Sequence, residues 1–491
     1  MRVYLVNAAN DDTSATANDK TFPAAGVLSL ASAVKLYRPD VEVYARDGQV
    51  YALENIFADI KCLKPDVVGI SVLGTSYQNS LKIAEAAKNS GATTVFGNDH
   101  AAIMAKNILN SRDVVDYICI ADAGEYPFLE ILEFLEGRRK ISEVSKLAYR
   151  TNQGITMNHG PEMPLAPNST ILDSIPTLDR TLYPQSHWNE YRDNYWQRYA
   201  KTHHGENVKG VDTINRARGC SRFKDACLFC GIADLSMRLS SPEMFWREVL
   251  TGMQQTNANI FYEAFDSMSS APGWIRRLVV AKPKNAENAR FFVYTQALET
   301  TRNLVELYKD LGVYRVNMGY ESGDDNMLKR LKGPKDSVQQ NKNASLMYRD
   351  SDIRIYGSLV LGGPGETHKT LQRSVDFARW AVDNDVIAAI EAQPLFPEMN
   401  ARAGKWLMNP DLAISDSEKM GFSIRDRNLL FQMPSKYRSR DDQWFGDEIA
   451  KDWTEIFCNV SYDDLLNAAR EIRSYAAKHG YAEGSGVSKE L

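Results

Sequence analysis

The stretch RARGCSRFKDACLFCGI, residues 216–232, places three of the chain's six cysteines within eleven consecutive positions. The first of them, Cys220, closely follows VDTINRA (211–217), a run that predicts a strand. Three thiolates from one loop can hold three irons of a [4Fe–4S] cube and leave the fourth iron open to a ligand that is not protein. The C-x6-C-x2-C spacing also permits a structural zinc site completed by His203 or His204, or three unrelated cysteines.

Between residues 211 and 400, short apolar runs alternate with helical segments. Besides VDTINRA, the predicted strands are NIFYEAFD (259–266), RFFVYTQA (290–297), YRVNMGYES (314–322), RIYGSLVLGG (354–363) and VIAAIEAQPLF (386–396). Six βα units predict a partial (β/α)6 TIM barrel, in which reactive groups lie at the carboxyl ends of the strands. The cysteine loop follows the first strand and therefore belongs to that end.

Residues 1–140 also alternate strand and helix. Their predicted strands are RVYLVNA (2–8), VEVYARDG (41–48), DVVGISVLG (66–74), TTVFGND (93–99) and VDYICIADAG (115–124). Nearly continuous apolar runs are typical of parallel strands that helices cover on both faces. The pattern predicts an α/β, Rossmann-like (flavodoxin-like) doubly wound domain, whose ligands bind beyond the carboxyl ends of the strands.

Two segments remain outside these domains. Residues 141–210 are rich in Pro, Asn and Ser and then in aromatic residues, and we interpret them as a linker. We expect the aromatic part, residues 182–204, to line a cavity or an interdomain seam, or to pack as an ordinary surface. Residues 401–491 are polar and mixed, and we expect a small C-terminal region that caps the substrate site. Within it, residues 462–480 have helical periodicity and a glycine stop.

Composition narrows the class of protein. The net charge is −5, so no basic field indicates nucleic acid binding. No apolar run is long enough to predict a membrane span, and the amino terminus lacks a signal peptide pattern. We therefore expect a cytoplasmic protein with reduced thiols. The isolated cysteines Cys62, Cys119 and Cys458 are expected in the core.

Several motifs together resemble one family. The pattern RGC…C-x-F-C after a strand, with five further βα units, resembles the radical S-adenosylmethionine (radical SAM) superfamily, and the doubly wound domain resembles a cobalamin-binding domain. Residues 1–400 thus resemble the cobalamin-binding radical SAM enzymes. Supporting stretches are FDSMSSAP (265–272), MGYESGDDNMLKRLKGP (318–334), GSLVLGGPGET (357–367), VFGNDHAA (95–102) and DAGEYPFLEIL (122–132).

The resemblance implies three cofactors: a [4Fe–4S] cluster, S-adenosylmethionine and cobalamin. The open iron would hold S-adenosylmethionine, whose reductive cleavage would give methionine and a 5′-deoxyadenosyl radical. Methylcobalamin would then methylate an unactivated carbon of a small metabolite. An external one-electron reductant such as flavodoxin or ferredoxin would be the partner. The alternatives are a radical dehydratase, rearrangement enzyme or epimerase with cobalamin auxiliary or absent, and a non-catalytic corrinoid or iron–sulfur sensor.

The resemblance also implies roles for individual residues. The implied cluster ligands are Cys220, Cys227 and Cys230. The implied S-adenosylmethionine-binding residues are Phe229, Asp266, Gln296, Glu321, Gly362, Gly363 and, in the same turn, Gly365. The implied cobalamin-binding residues are Asp47, Ser71, Gly74, Thr75, Tyr77, Gly97, His100, Gly124 and Glu125.

Each role has a plainer alternative. Glu321 could be a buried ion-pair partner, Asp266 and Gln296 could cap loops, and the glycines could form a tight turn. His100 suits a polar loop residue better than a cobalt ligand.

Two features depart from the family pattern. The family spacing is C-x3-C-x2-C, so three extra residues separate Cys220 and Cys227. The loop should bulge and bring Arg222, Lys224 and Asp225 near the cluster. In addition, ARDGQV (45–50) has no histidine two places after its Asp, so this segment offers no lower ligand for cobalt.

Overall fold

The computed structural model describes residues 1–11, 20–199, 208–231, 236–442 and 447–483. In these ranges the chain forms two seven-stranded sheets and one two-stranded ribbon, with helices packed against both sheets. The α/β class is therefore confirmed. A doubly wound domain is followed by a partial barrel, as expected.

The first sheet has strand order β2-β1-β3-β4-β5-β6-β7. Its strands are β1 (Arg2–Asn7), β2 (Glu42–Asp47), β3 (Val67–Ser71), β4 (Thr93–Gly97), β5 (Tyr117–Cys119), β6 (Leu147–Thr151) and β7 (Gly154–Asn158). The first five pair in parallel in the flavodoxin-like order. The carboxyl ends of β3, β4 and β5 consequently meet at one edge.

Helices cover both faces of this sheet. They are α1 (Ala25–Tyr37), α2 (Leu53–Leu63), α3 (Tyr77–Asn89), α4 (Asp99–Ser111) and α5 (Glu125–Leu135). Val3 and Leu5 of β1 belong to one core, whereas Tyr4 and Val6 belong to the core on the opposite face. Because both faces are buried, these strands are apolar throughout instead of alternating.

The predicted linker contains more structure than its composition suggests. Strand β6 pairs antiparallel with β5, and β7 pairs antiparallel with β6. The first sheet therefore continues past residue 140. The hairpin turn between Thr151 and Gly154 lies within the segment predicted to be a linker. Two helices follow, α6 (Ile171–Ser174) and α7 (Gln185–Tyr199).

The second sheet has strand order β16-β15-β14-β13-β12-β11-β8. Its strands are β8 (Val211–Ile214), β11 (Ile260–Glu263), β12 (Arg290–Thr295), β13 (Val313–Glu321), β14 (Arg354–Leu361), β15 (Ile387–Pro394) and β16 (Ala482–Glu483). All neighbours pair in parallel. The partial barrel is confirmed. The two-stranded ribbon, β9 (Ala217–Arg218) and β10 (Arg238–Leu239), frames the cysteine loop.

The C-terminal region divides into two parts. The barrel helices are α8 (Pro242–Thr256), α9 (Pro272–Val280), α10 (Arg302–Leu311), α11 (Asp325–Leu331), α12 (Val338–Arg349), α13 (His368–Asp383) and α18 (Tyr462–Lys478). Leu465, Ala469 and Ile472 of α18 pack in the barrel core, so α18 serves as the helix of the sixth βα unit.

A helical insertion lies between β15 and α18. It consists of α14 (Arg402–Met408), α15 (Pro410–Met420), α16 (Arg427–Tyr437) and α17 (Asp447–Phe457). The expected helix near residue 462 is confirmed. The expected separate region at 401–491 is instead an insertion plus the last βα unit, because the apolar face of α18 completes the barrel core.

The aromatic part of the linker fills the barrel. Tyr191, Tyr195 and Tyr199 of α7 are buried and pack with Val211 and Phe292 from the barrel strands. The Arg315 guanidinium lies 4.1 Å from the Tyr199 ring centroid. These side chains are therefore interior packing at the amino-terminal half of the barrel. Phe22 and Val50 of the first domain belong to the same cluster, and the Tyr191 hydroxyl donates to Asp47, so the segment packs at the interdomain seam, one of the expected alternatives.

Cysteine burial differs from expectation at one position. Cys119 and Cys458 are buried, as expected, but Cys62 is exposed. The buried face of α2 is formed by Ile56 and Ile60, and Cys62 lies off that face. None of the described helices combines the length and apolar character that a membrane span requires.

A buried charge network fastens the segment before α7 to the barrel. The Arg180 guanidinium pairs with Asp212 of β8 and lies 2.6 Å from an oxygen of Glu248 in α8. All three side chains are at most 1% exposed. Burial raises the pKa of Asp212 to about 6 although Arg180 lies beside it.

We expect the substitution Arg180→Met to lower the free energy of unfolding by about 3–5 kcal/mol, because it leaves the buried Asp212 without its cation. Urea denaturation followed by circular dichroism measures this change. Arg192→Met is the control, since Arg192 and Asp193 form an exposed pair that contributes at most about 1 kcal/mol. Equal effects of the two substitutions would contradict the assigned role of Arg180.

Candidate functional site

A cavity lies between the first sheet and the barrel. It has a volume of about 760 Å3, within the range of roughly 300–1,000 Å3 typical of ligand pockets. One wall consists of loops after β3, β4 and β5, and the other includes Asn215, Phe229, Asp266 and Glu398 from the barrel side. Both domains thus present strand ends to the same space.

Seven of the nine residues implied for cobalamin line this cavity. They are Ser71, Gly74, Thr75, Gly97, His100, Gly124 and Glu125. The Ser71 hydroxyl accepts a hydrogen bond from the Asn98 amide at 3.0 Å, and the Thr75 hydroxyl donates to Asn10 at 2.9 Å. These bonds fix the loops.

Glycine keeps the wall after β4 open. A Cβ added at Gly97 would have a single neighbour within 4 Å, the Cys119 Cβ at 4.0 Å, so the backbone leaves room beside it. Small side chains at this edge leave a broad surface that suits a flat macrocycle. The residues therefore fit a corrin ring.

Two implied residues lie away from the cavity. Asp47 is fully buried and accepts hydrogen bonds from the Asn7 amide at 2.9 Å and the Tyr191 hydroxyl at 2.6 Å. It ties the first sheet to α7, and burial raises its pKa. Tyr77 is buried at the start of α3, with its ring centroid 4.5 Å from that of His100. Neither side chain can reach a cofactor in the cavity without rearrangement.

His100 lies at the cavity wall but is fully buried. Its Nε2 atom is 2.9 Å from the carbonyl oxygen of Asp441, which precedes α17. That nitrogen faces the helical insertion. The contact favours the plainer interpretation of His100 as a polar packing residue.

Several residues that line the cavity had no role predicted from the sequence. Asp99 and Asp122 follow β4 and β5, and Phe396, Glu398 and Asn400 follow β15. Asp99, Asp122 and Phe396 lie at or near the ends of predicted strands, and Glu398 and Asn400 follow the last of these, so the strand-end rule could have found them. Burial, followed by the charges of Asp122 and Asp266, raises the pKa of Asp99. Burial and Asp99 likewise raise the pKa of Glu398.

An ion-pair cluster joins the ribbon to the first domain. The Arg218 guanidinium lies 3.0 Å from a carboxylate oxygen of Asp122, and Arg238 also pairs with Asp122. Arg218 and Arg238 face each other across the two strands of the ribbon. This cluster fixes the base of the cysteine loop against the edge of the first sheet.

The cysteine loop itself is compact. The Phe223 N–H donates to the Cys220 carbonyl at 3.1 Å, and the Cys230 N–H donates to the Cys227 carbonyl at 3.1 Å. The first of these turns, together with the bond from the Asp225 N–H to the Arg222 carbonyl at 3.0 Å, lies between Cys220 and Cys227 and absorbs the three residues beyond the family spacing. Of the charged residues between Cys220 and Cys227, Arg222 is partly buried, whereas Lys224 and Asp225 are exposed.

Two implied residues hold this loop in place. The Asp266 carboxylate accepts a hydrogen bond from the Gly219 N–H at 2.7 Å. The Gln296 amide donates to the Cys220 sulfur at 3.3 Å and to the Ser267 hydroxyl at 2.9 Å. The loop-capping alternative therefore describes contacts that both side chains make. Asp266 also lines the cavity, where a ligand can reach it.

Two cations, Lys332 and Arg222, and one carboxylate, Glu321, lie near the Cys227 thiol. Burial raises the pKa of Cys227, and the nearby charges of Lys332 and Arg222 oppose that shift. None of the three cysteines is in a disulfide. Cationic neighbours stabilise thiolates, which are the form that binds iron. The donor set consequently fits an iron–sulfur cluster with three protein ligands.

The cysteine loop matches the binding site of a single metal ion less well. Within the described ranges, no three or more His, Cys, Asp and Glu side chains are arranged to hold a metal ion. A zinc ion needs its ligands in one tight tetrahedron, whereas a cube of four irons is wider and holds its thiolates farther apart. His203 and His204, considered as zinc ligands, lie outside the described residues.

Glu321 ends β13 in a strained backbone conformation, with φ at 58°. Its carboxylate is buried, with an oxygen 3.5 Å from the Lys332 ammonium, and burial raises its pKa. The ion-pair alternative thus describes its contact. A Cβ at Gly319 would lie 1.9 Å from that carboxylate, so glycine there gives the side chain its room. Strain of this kind is common at functional sites.

The remaining implied residues lie on two sides of the barrel mouth. Phe229, which stands between Leu228 and Cys230 in the sequence, lines the cavity. Gly362 and Gly363 pack against the insertion: the Gly362 carbonyl accepts a hydrogen bond from the Trp453 indole at 2.9 Å, and φ is 87° at Gly362. These glycines form a tight turn against which α17 and α18 pack closely. Neither glycine lines the cavity.

Comparisons with known proteins agree with this geometry. Residues 214–378 match the family model of the radical SAM superfamily, and residues 17–132 match that of the B12 binding domain. The two ranges together span more than half of the chain. They confirm the expected cofactors, which are a [4Fe–4S] cluster, S-adenosylmethionine and cobalamin.

Individual relatives are distant. Cytidylyl-2-hydroxyethylphosphonate methyltransferase from Streptomyces wedmorensis is 24% identical over 355 residues, which are 67% of this chain and 64% of that protein. The cobalamin-dependent S-adenosylmethionine radical enzyme OxsB, with aqua-cobalamin and S-adenosylmethionine bound, has a TM-score of 0.66 and 16% identity over 87% of this chain and 62% of its own.

A third relative is the radical S-adenosylmethionine methyltransferase TsrM from Kitasatospora setae, with cobalamin and a [4Fe–4S] cluster bound. It has a TM-score of 0.63 and 17% identity, covering 83% of this chain and 78% of its own. At these identities the structures establish a shared fold. This chain matches less than two thirds of the Streptomyces protein and of OxsB. With both domain families matched and folded in the same order, the chain belongs to the cobalamin-binding radical S-adenosylmethionine enzymes.

Proposed function

We propose that this protein is a methyltransferase that methylates an unactivated carbon of a small metabolite. The observation that carries the proposal is the shared cavity, in which the strand-end loops of the B12 binding domain face the barrel residues Phe229 and Asp266. A methyl group carried by the first domain and a substrate held by the second would meet there. The distant relatives named as methyltransferases support the same reaction class.

When bound, cobalamin supplies the methyl carrier and the cluster supplies the electron that cleaves S-adenosylmethionine. The chain's own residues position these groups and keep water out. Leu331, Leu395 and Trp406 form an apolar core directly behind the cysteine loop. A dry surround of this kind protects a reactive radical from side reactions. We infer that the electron comes from an external donor such as a flavodoxin or ferredoxin.

The polar side chains in the barrel lumen favour a small polar substrate. Tyr294, Asn317 and Glu391 are partly exposed and alternate with apolar neighbours that pack in the helix-facing core, so their side chains face the lumen. The Tyr356 hydroxyl donates to Glu391 at 3.0 Å. Barrel interiors are ordinarily filled by branched apolar side chains, so a polar layer at this depth suits hydroxyl or amino groups of a ligand.

Product analysis tests the methyltransferase proposal. The reconstituted protein is incubated without oxygen with S-adenosylmethionine carrying a trideuterated methyl group, a low-potential one-electron reductant and a metabolite extract of its source organism. We expect S-adenosylhomocysteine, 5′-deoxyadenosine and an acceptor that carries the deuterated methyl. Deoxyadenosine without S-adenosylhomocysteine would contradict methylation and favour a radical dehydration, rearrangement or epimerisation.

A further inference from the structure

The six-residue spacer between Cys220 and Cys227 directs one cation toward the thiols. The Arg222 guanidinium donates two hydrogen bonds to the Asp336 carboxylate, at 2.7 and 2.8 Å, and a third to the Lys332 carbonyl at 2.7 Å. Its side chain is 14% exposed. A guanidinium held at this many points is a fixed charge and not a mobile surface group.

Arg222 also reaches a cluster ligand through an amide. Its Nε atom donates to the Gln296 Oε1 atom, and the Gln296 Nε2 atom donates to the Cys220 sulfur at 3.3 Å. The Arg222 backbone N–H lies 3.5 Å from the same sulfur. Because an amide can present either its oxygen or its NH2 group, a cation on the oxygen forces the NH2 group toward the sulfur.

We propose that Arg222 is a positioning residue that raises the reduction potential of the cluster, by aiming the Gln296 amide at Cys220 and by placing a fixed positive charge beside the thiolates. The proposal rests on the cluster being bound at the three cysteines. Reduction adds one negative charge, and N–H···S bonds and nearby cations stabilise the more negative state. Asp336 moderates the effect, since its carboxylate partly neutralises the guanidinium.

A potentiometric titration of the reconstituted holoprotein tests this proposal. Dithionite delivers one electron to each cluster, which passes from the 2+ to the 1+ state, and electron paramagnetic resonance counts the reduced fraction. Poised at the wild-type midpoint, Arg222→Gln should lower the ratio of reduced to oxidised cluster about tenfold, equivalent to about 59 mV for one electron. Arg222→Lys keeps the charge, so its ratio should fall between those of the wild type and Arg222→Gln.

Lys224→Gln is the matched control, because it removes a charge from the same loop at an exposed position. It should leave the ratio at its wild-type value. Asp336→Asn is a second variant, and we expect it to change the ratio of reduced to oxidised cluster in the opposite direction. It removes the negative charge beside Arg222 and should raise the ratio, which keeps the proposal testable even where Arg222→Gln fails to take up iron.

Three results would overturn the role of Arg222: an unchanged ratio in Arg222→Gln, an equal shift in Lys224→Gln, or a ratio in Asp336→Asn that stays constant or falls. Iron and sulfide counts on each sample separate these results from a failure of the proposed function. A wild-type protein without a cluster would contradict that function itself, whereas a loaded protein with an insensitive potential contradicts only the role of Arg222.

Discussion

Replacing Cys230 by alanine should strip the protein of its cluster and abolish cleavage of S-adenosylmethionine. Loss of even a supporting residue costs roughly 10–100-fold in metal affinity, and loss of one of three ligands should cost at least as much. Iron per chain, counted after anaerobic reconstitution, measures the first effect. Release of 5′-deoxyadenosine measures the second.

Cys62→Ala is the matched control for this experiment. Cys62 is exposed on α2, far in sequence from the loop, and its loss should change neither iron content nor cleavage. Full iron content in the Cys230→Ala protein would contradict the assignment of the three ligands. Equal iron loss in both variants would show that the assay reports general damage.

A second large effect is expected at the wall of the cavity. Gly97→Leu should weaken cobalamin binding, because Gly97 lines the cavity and a larger side chain there would occupy volume that a corrin needs. A steric misfit of about 1–3 kcal/mol weakens binding roughly 5- to 150-fold. Cobalt per chain should therefore fall while iron per chain stays constant.

Gly273→Leu provides the control for the substitution at Gly97. Gly273 lies in α9, is exposed, and has no atom within 4 Å of an added Cβ. Its substitution should leave both metals unchanged. Undiminished cobalt in the Gly97→Leu protein would place cobalamin elsewhere, and parallel loss of cobalt and iron would indicate unfolding instead of a blocked cavity.

Much of the fold could be predicted because its strands are buried on both faces. Continuous apolar runs such as VVGIS in β3 have few alternative structures, and their order along the chain fixes a parallel sheet. The cysteines were found for a similar reason, since three thiols on one loop are rare and their chemistry is specific. Local patterns of this kind can be recognised without any knowledge of distant contacts.

The parts that could not be predicted depend on distant contacts. Strands β6 and β7 are short and pair at a sheet edge, so only the neighbouring β5 distinguishes them from a loop. The role of α18 depends on a barrel core to which residues far away in sequence contribute. Asp47 follows the strand-end rule, yet its carboxylate is captured by Tyr191 of α7, which no local pattern indicates.

The arrangement of the cysteine loop also required the structure. The spacing predicts a bulge with three charged residues near the cluster. Only Arg222 is drawn inward, because Asp336 and the Lys332 carbonyl accept its hydrogen bonds. Its neighbours Lys224 and Asp225 remain exposed. Their charges alone do not distinguish these three residues. Arg222 differs because its hydrogen-bond partners, Lys332 and Asp336, lie more than a hundred positions away in the sequence.

The most direct test is the electron paramagnetic resonance spectrum of the reduced protein before and after addition of S-adenosylmethionine. An iron without a protein ligand should bind the added molecule, so we expect one reduced cluster per chain whose spectrum changes on addition. An unchanged spectrum, or a stoichiometric zinc ion in place of iron, would contradict it.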